Sequence, residues 1–153
     1  METVVLRKRV LVVDCDVRVG TQLKRACEAV ADVDVLTNFH AARRLLLQHV
    51  AGVLVTNLRL AEFSGLHLVY LATADAPSSM RCIVYSDFFD LRLVQEAQAA
   101  GAMYEPASSL ALALPSYLSE SWPARDRRSP LRSDRRRAFR GGRRATDVAV
   151  LSL

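Results

Sequence analysis

The sequence predicts an α/β domain: a doubly wound, five-stranded parallel sheet with helices on both faces, followed by a disordered basic C-terminal tail. Three observations predict it. Apolar, β-branched runs alternate with stretches of helical spacing five times along residues 1–120. Most of the runs are apolar at successive residues rather than at every second one, which is the pattern of strands buried on both faces. Residues 121–153 then hold ten Arg and three Asp with few large apolar side chains, so that segment has little to build a core from. The boundary between the domain, 1–120, and the tail, 121–153, is marked by Trp122-Pro123.

Arg9 to Val13 reads as a buried strand ending at Asp14. Val17 to Val30 has helical spacing, with Val19, Leu23, Ala26, Cys27 and Val30 on one face. Val33 to Leu36 is a short strand, and Phe39 to His49 a helix with Ala42, Leu45 and Leu46 inward. Gly52 to Thr56 is a second central strand, followed by a helix over Gly65 to Ala74. Arg81 to Tyr85 is the fourth strand, Phe88 to Ala100 a helix, and Gly101 its C-terminal cap. Ala102 to Tyr104 makes a brief fifth strand, and Ser108 to Leu118 a last helix capped by Ser108 or Ser109. Five such units form an open sheet whose functional crevice lies at the carboxyl ends of the strands, where strand order reverses.

Composition narrows the class. The 153 residues fit one domain and an appendage, and 51% hydrophobic residues support a packed core. The uncharged stretch from Phe63 to Ala74 is shorter than the ~20 residues of a membrane helix. The start of the chain, with Arg7, Lys8 and Arg9, lacks a signal-peptide core, so cytoplasmic residence is expected. Cys15, Cys27 and Cys82 show neither zinc nor disulfide spacing. The net charge of +5 is uneven: the tail is strongly basic and the domain slightly acidic. Such asymmetry marks a separate segment.

Four predicted strand ends carry polar residues: Asp14-Cys15-Asp16, Thr56-Asn57, Tyr85-Ser86-Asp87 and Glu105-Pro106. The order VLVVDCD, VLVTNLRLAEFSGLHLV, IVYSD and AGAMYEP over residues 8–119 resembles the receiver domain of two-component response regulators, the CheY-like family. Thr56 to Leu66 is its most specific part. The resemblance implies an acidic pair after the first strand and an Asp after the third that together hold Mg²⁺, the latter Asp accepting the phosphoryl group. It also implies a Ser or Thr and a Lys contacting that group. The chemistry needs a nucleophilic carboxylate, hard oxygen ligands, and cations that neutralise the transferring charge.

This sequence departs from the pattern at three places. Asn57 stands at the acceptor position, where an amide oxygen is a poor nucleophile. Cys15 stands at the second acidic position, a soft ligand badly suited to Mg²⁺. Glu105 stands at the lysine position and repels a phosphate. Asp14, Asp16 and Ser86 remain. The expectation is a degenerate pocket of Asp14, Cys15, Asp16, Asn57, Ser86 and Glu105 in a pseudo-receiver with no catalytic residues and no required cofactor. At most it holds weak Mg²⁺ at Asp14 and Asp16. Glu105 has Arg59 as a prospective ion partner, with solvation as the alternative. Cys15 at a helix start is either a redox thiol or structural. His40, His49 and His67 lack ligand spacing.

The expected mode of action is phosphorylation-independent protein–protein contact. In the family, the face of the fourth helix, fifth strand and fifth helix carries partner or dimer contacts. Here that implies Phe88, Phe89, Leu91, Arg92, Tyr104 and Tyr117, with a homodimer among the outcomes. Phosphoryl acceptance on Asp14, Asp16 or Asp87 is one rival reading. The other is binding of nucleic acid or an anionic surface through Arg127, Arg128, Arg135, Arg136, Arg137, Arg143 and Arg144. The arginine pairs recur every eighth residue, which places them on one side of an extended chain.

Overall fold

The structure is a computed structural model that describes residues 7–48, 51–74 and 80–119. The predicted tail, with its seven named arginines, lies outside the described residues, as does His49. Strand β1 spans Lys8–Val13, helix α1 Val17–Cys27, β2 Ala31–Leu36, α2 Phe39–Leu47 and β3 Val53–Asn57. A short hairpin follows, β4 Arg59–Leu60 and β5 Phe63–Ser64, before α3 at Gly65–Thr73. Then come β6 Arg81–Tyr85, α4 Leu91–Ala99, β7 Met103–Tyr104 and α5 Ala107–Ser119.

The expected fold is present. Five parallel strands form one sheet in the order β2-β1-β3-β6-β7. The chain steps from β1 to the edge at β2, then back across β1 to β3, so the order reverses between β1 and β3. Two clusters sandwich the sheet, because alternate side chains of each strand point to opposite faces. Leu11, Val13, Leu54, Cys82 and Val84 meet α2, α3 and α4 through Leu46, Leu68, Val69 and Ala97. Val10, Val12, Val55, Ile83 and Tyr85 meet α1 and α5 through Leu23, Cys27, Leu110, Leu114 and Leu118. Each large apolar side chain so buried stabilises the fold by about 1.5–3 kcal/mol.

Side-chain caps set the helix starts. Asp16, Asn38, Ser64 and Asp90 each accept a backbone N–H from the first turn. Asp90 explains one difference from the sequence reading: α4 begins at Leu91, so Phe88 and Phe89 belong to the preceding loop. Another lies at α5, which begins at Ala107, directly after Pro106, so neither Ser108 nor Ser109 is its cap. Pro suits a helix start because its fixed φ is already helical. Gly101 closes α4 as expected, at φ +94° and donating its N–H to the Gln98 carbonyl. The β4–β5 hairpin was not legible beforehand. Its two-residue turn holds Ala61 at φ +51°, the left-handed region that disfavours a Cβ.

Candidate functional site at the strand ends

Sheet register assembles the site. Val13 lies opposite Thr56, and Asn57 lies opposite Tyr85. One residue beyond each β1 and β3 partner, Asp14 and Asn57 meet in the crevice where strand order reverses. Gly65 closes the floor: its N–H donates to the Leu58 carbonyl at 2.9 Å. A Cβ at residue 65 would come within 2.1 Å of the Asn57 carbonyl oxygen, so only glycine fits this close approach.

Asp14 is buried and its carboxylate is enclosed by donors. Oδ1 accepts the Asp16 backbone N–H at 2.8 Å. Oδ2 accepts the Asn57 amide Nδ2 at 3.2 Å and the Tyr85 hydroxyl at 2.5 Å. Asn57 is buried too, and its Oδ1 accepts the Arg59 backbone N–H at 3.0 Å. The Asn57 side chain therefore spans the crevice as a donor to one side and an acceptor to the other. Tyr85 is buried, and its hydroxyl is held far above the ordinary phenol range by desolvation first and by the hydrogen bond and charge of Asp14 second. It stays protonated and donates.

The other predicted residues are not gathered around Asp14. Asp16 turns to helix α1, capping Arg18 N at 2.9 Å and pairing with the Arg18 guanidinium at 3.0 Å. The bonds to Arg18 hold its carboxyl below the ordinary range. Cys15 is exposed; its thiol is raised above the usual value by desolvation and by the Asp14 charge. That direction opposes a reactive thiolate. Ser86 is buried, and its Oγ donates to the Phe88 carbonyl at 2.7 Å and lies 3.0 Å from the Tyr104 hydroxyl. Tyr104 packs edge-on against Phe89. Glu105 starts beside the crevice, its N–H on the Val84 carbonyl, but its carboxylate turns to α5. There it accepts the Ser109 hydroxyl at 2.6 Å and the Tyr117 hydroxyl at 2.8 Å, so Arg59 is not its partner. A carboxylate at a helix N-terminus also complements the helix dipole.

These residues do not fit Mg²⁺. Hard-cation sites use several inward oxygen ligands, whereas here an amide N–H and a phenol O–H point at the Asp14 carboxylate. Asp14 and Asp16 do not present their carboxylates together, since Asp16 faces Arg18. Among the described residues, no buried side-chain polar atom lacks a hydrogen-bond partner that a cation would supply.

Sequence reading missed Tyr85. The signal was a tyrosine at the end of an apolar strand, since a buried phenol needs a partner for its hydroxyl.

The residues expected to form an interaction face differ in exposure. Phe88, Phe89 and Leu91 are 75%, 67% and 56% exposed, Arg92 is exposed, and Tyr104 and Tyr117 are half-buried. Among the described residues no helix is long and apolar enough to cross a membrane.

No protein-family model matches the sequence, and no curated protein matches it. Solved structures do share its fold. A CheY-like response regulator receiver domain protein from Methanospirillum hungatei superposes with a TM-score of 0.64 at 19% identity, over 73% of this chain and 94% of that one. The BeF₃-activated receiver domain of DrrB, a Thermotoga maritima OmpR/PhoB homologue, gives 0.61 at 17% identity, over 75% and 100%. A Burkholderia pseudomallei response regulator, solved with a phosphorylated aspartic acid and a calcium ion, gives 0.61 at 24% identity, over 73% and 69%. The chain therefore has the receiver fold.

Proposed function

We propose that this chain is a receiver-like signalling module that works without phosphoryl transfer, through protein–protein contact, and is not an enzyme. One observation carries the reading: at the third strand's exit an amide, Asn57, donates its N–H to Asp14. A phosphoacceptor must instead offer an unencumbered carboxylate oxygen to phosphorus. The Burkholderia neighbour bears its phosphoryl group on an aspartic acid; the comparable strand end here has no carboxylate. Glu105, bound to Ser109 and Tyr117, brings no positive charge to the crevice.

The partner face in this reading is the exposed aromatic edge of Phe88, Phe89 and Leu91 with Arg92, Tyr104 and Tyr117. Within that edge Tyr104 is tied to Ser86 and packs edge-on against Phe89. The experiment is incubation of the full chain with Mg²⁺ and acetyl phosphate, read by intact mass. The expected result is no gain of a phosphoryl group. An adduct mapped to Asp14, Asp16 or Asp87 would establish the phosphoacceptor rival and end this proposal.

A second reading is favoured by the charge partition: ten Arg against three Asp in residues 121–153. Contact with phosphates through those arginines would be sequence-independent and steeply salt-dependent. A mobility shift with duplex DNA that is lost on raising salt and on truncation at Trp122 would support it. Equal binding by the truncated chain would overturn it.

A further inference from the structure

We propose that the groove between α2 and α3 is a second docking surface, built for an acidic amphipathic segment of a partner protein. It shares no residue with the aromatic edge assigned above. Phe39, His40 and Arg43 of α2 line it with Phe63, His67, Tyr70 and Leu71, the stacked Phe39 and Phe63 rings forming its floor. The α3 residues follow a spacing of three and four, so they fall on one helical stripe. Two exposed helices with apolar stripes facing a common trough offer the helix-in-groove mode of recognition.

The surface is preformed. The Phe39 and Phe63 rings stack at 4.4 Å with planes 9° apart. His40 stands edge-on to both, at 5.6 and 5.2 Å, and His67 edge-on to Phe39 at 6.3 Å. Phe39, Phe63 and Leu71 pack against the buried core beneath, which fixes them. Tyr70, 50% exposed, rises above this floor. Rigid aromatic groups of this kind cost little ordering entropy on binding and dominate interface energetics.

Charge selects the occupant. Arg43 and its neighbour Arg44 are exposed on α2, and neither takes part in an ion pair or side-chain hydrogen bond among the described residues. Helix α3 carries no Asp, Glu, Lys or Arg. The connecting hairpin adds Arg59 and Glu62, both exposed. Of the described residues that line the trough, Arg43 alone carries a fixed charge, and it is positive. A second copy docked groove to groove would bring Arg43 against Arg43, and the Arg-rich tail would add more positive charge. An apolar-anchored segment flanked by Asp and Glu meets complementary charge on the rim.

The test is selection of a displayed library of random peptides on the full-length protein. Selected peptides are then bound to the wild type, Tyr70→Ala and Arg43→Glu. Both substitutions are at exposed positions, and circular dichroism checks that each variant remains folded. Enrichment of Asp and Glu beside aromatic or aliphatic anchors is expected, with affinity falling roughly ten-fold or more in either variant, about 1.4 kcal/mol. Neutral or basic selected peptides, or equal binding to Tyr70→Ala, would overturn the proposal. So would concentration-dependent dimerisation in sedimentation that Arg43→Glu strengthens, since the groove would then belong to a second copy.

Discussion

The Tyr85 hydroxyl donates to Asp14 Oδ2 at 2.5 Å, across the crevice at the carboxyl ends of the strands. Two strands separated by β3 thereby share one buried negative charge, divided among the Tyr85 hydroxyl, the Asn57 amide and the Asp16 N–H. Hydrogen bonds to a charged acceptor are stronger than neutral ones. The crevice is closed on itself by its own side chains.

Tyr85→Phe therefore leaves Asp14 with two donors in place of three. The expected loss is about 1.5–3 kcal/mol of stability, the usual worth of a hydrogen bond to a charged group. Urea unfolding at neutral pH measures it. A change below about 0.5 kcal/mol, the range of neutral surface substitutions, would show that the hydroxyl contributes nothing to the crevice.

Asn57→Asp replaces a donor with a second carboxylate beside Asp14, and two like charges that close do not both ionise in a buried site. The folded pair is then raised above its unfolded values. Its contribution is fully present at acid pH and lost as pH rises, so the variant matches the wild type near pH 4 and falls below it at pH 7. Millimolar Mg²⁺ should narrow the deficit of the variant and leave the wild type unchanged, read as thermal midpoints with and without EDTA.

Three buried acids make the domain labile to alkali. Burial pushes Cys27 from 9.0 up to about 11 and Cys82 up to about 12, and Tyr85 is raised above its ordinary 10.0. For each, the folded state holds its proton longer than the unfolded chain. Stability is thus intact below pH 9, and is lost as pH climbs through the folded values. Guanidinium midpoints should fall between pH 9 and 12, and Tyr85→Phe should lessen the slope above pH 10. A flat profile over that window would contradict the burial of these groups.

Ala61→Gly relieves the hairpin turn. A left-handed φ costs an L-residue roughly 1–2 kcal/mol, against about 0.5–1 kcal/mol for the greater freedom of glycine when unfolded. Ala61 is exposed and has no packing to lose. A gain of about 0.5–1 kcal/mol in urea unfolding is expected.

The sheet was legible because its central strands β1, β3 and β6 are apolar on both faces along most of their length, a pattern that amphipathic helices and half-solvated strands do not produce; edge strand β2 alternates, with Asp32 and Asp34 between its apolar residues. Asp14, Asn57 and Ser86 stood out because each follows such a run directly. What the sequence hid depends on side-chain direction. Tyr85 belongs by alternation to the layer beneath α1 and α5, and only the length of its ring returns the hydroxyl to Asp14. Glu105 sits at the crevice by backbone position, yet two hydroxyls one and three turns along α5 draw it away. Asp90 was a readable cap, overlooked because Phe88 and Phe89 continued the apolar spacing.

Lys8 Nζ donates to the Leu118 carbonyl at 2.6 Å, joining the first strand to the end of the last helix. Entry and exit of the folded unit therefore lie side by side. A short linker joining them, with new termini opened between Ala74 and Met80, would keep every strand beside its present neighbours. Such a circular permutant should fold, and the unit can be inserted into a host protein without prising the host apart.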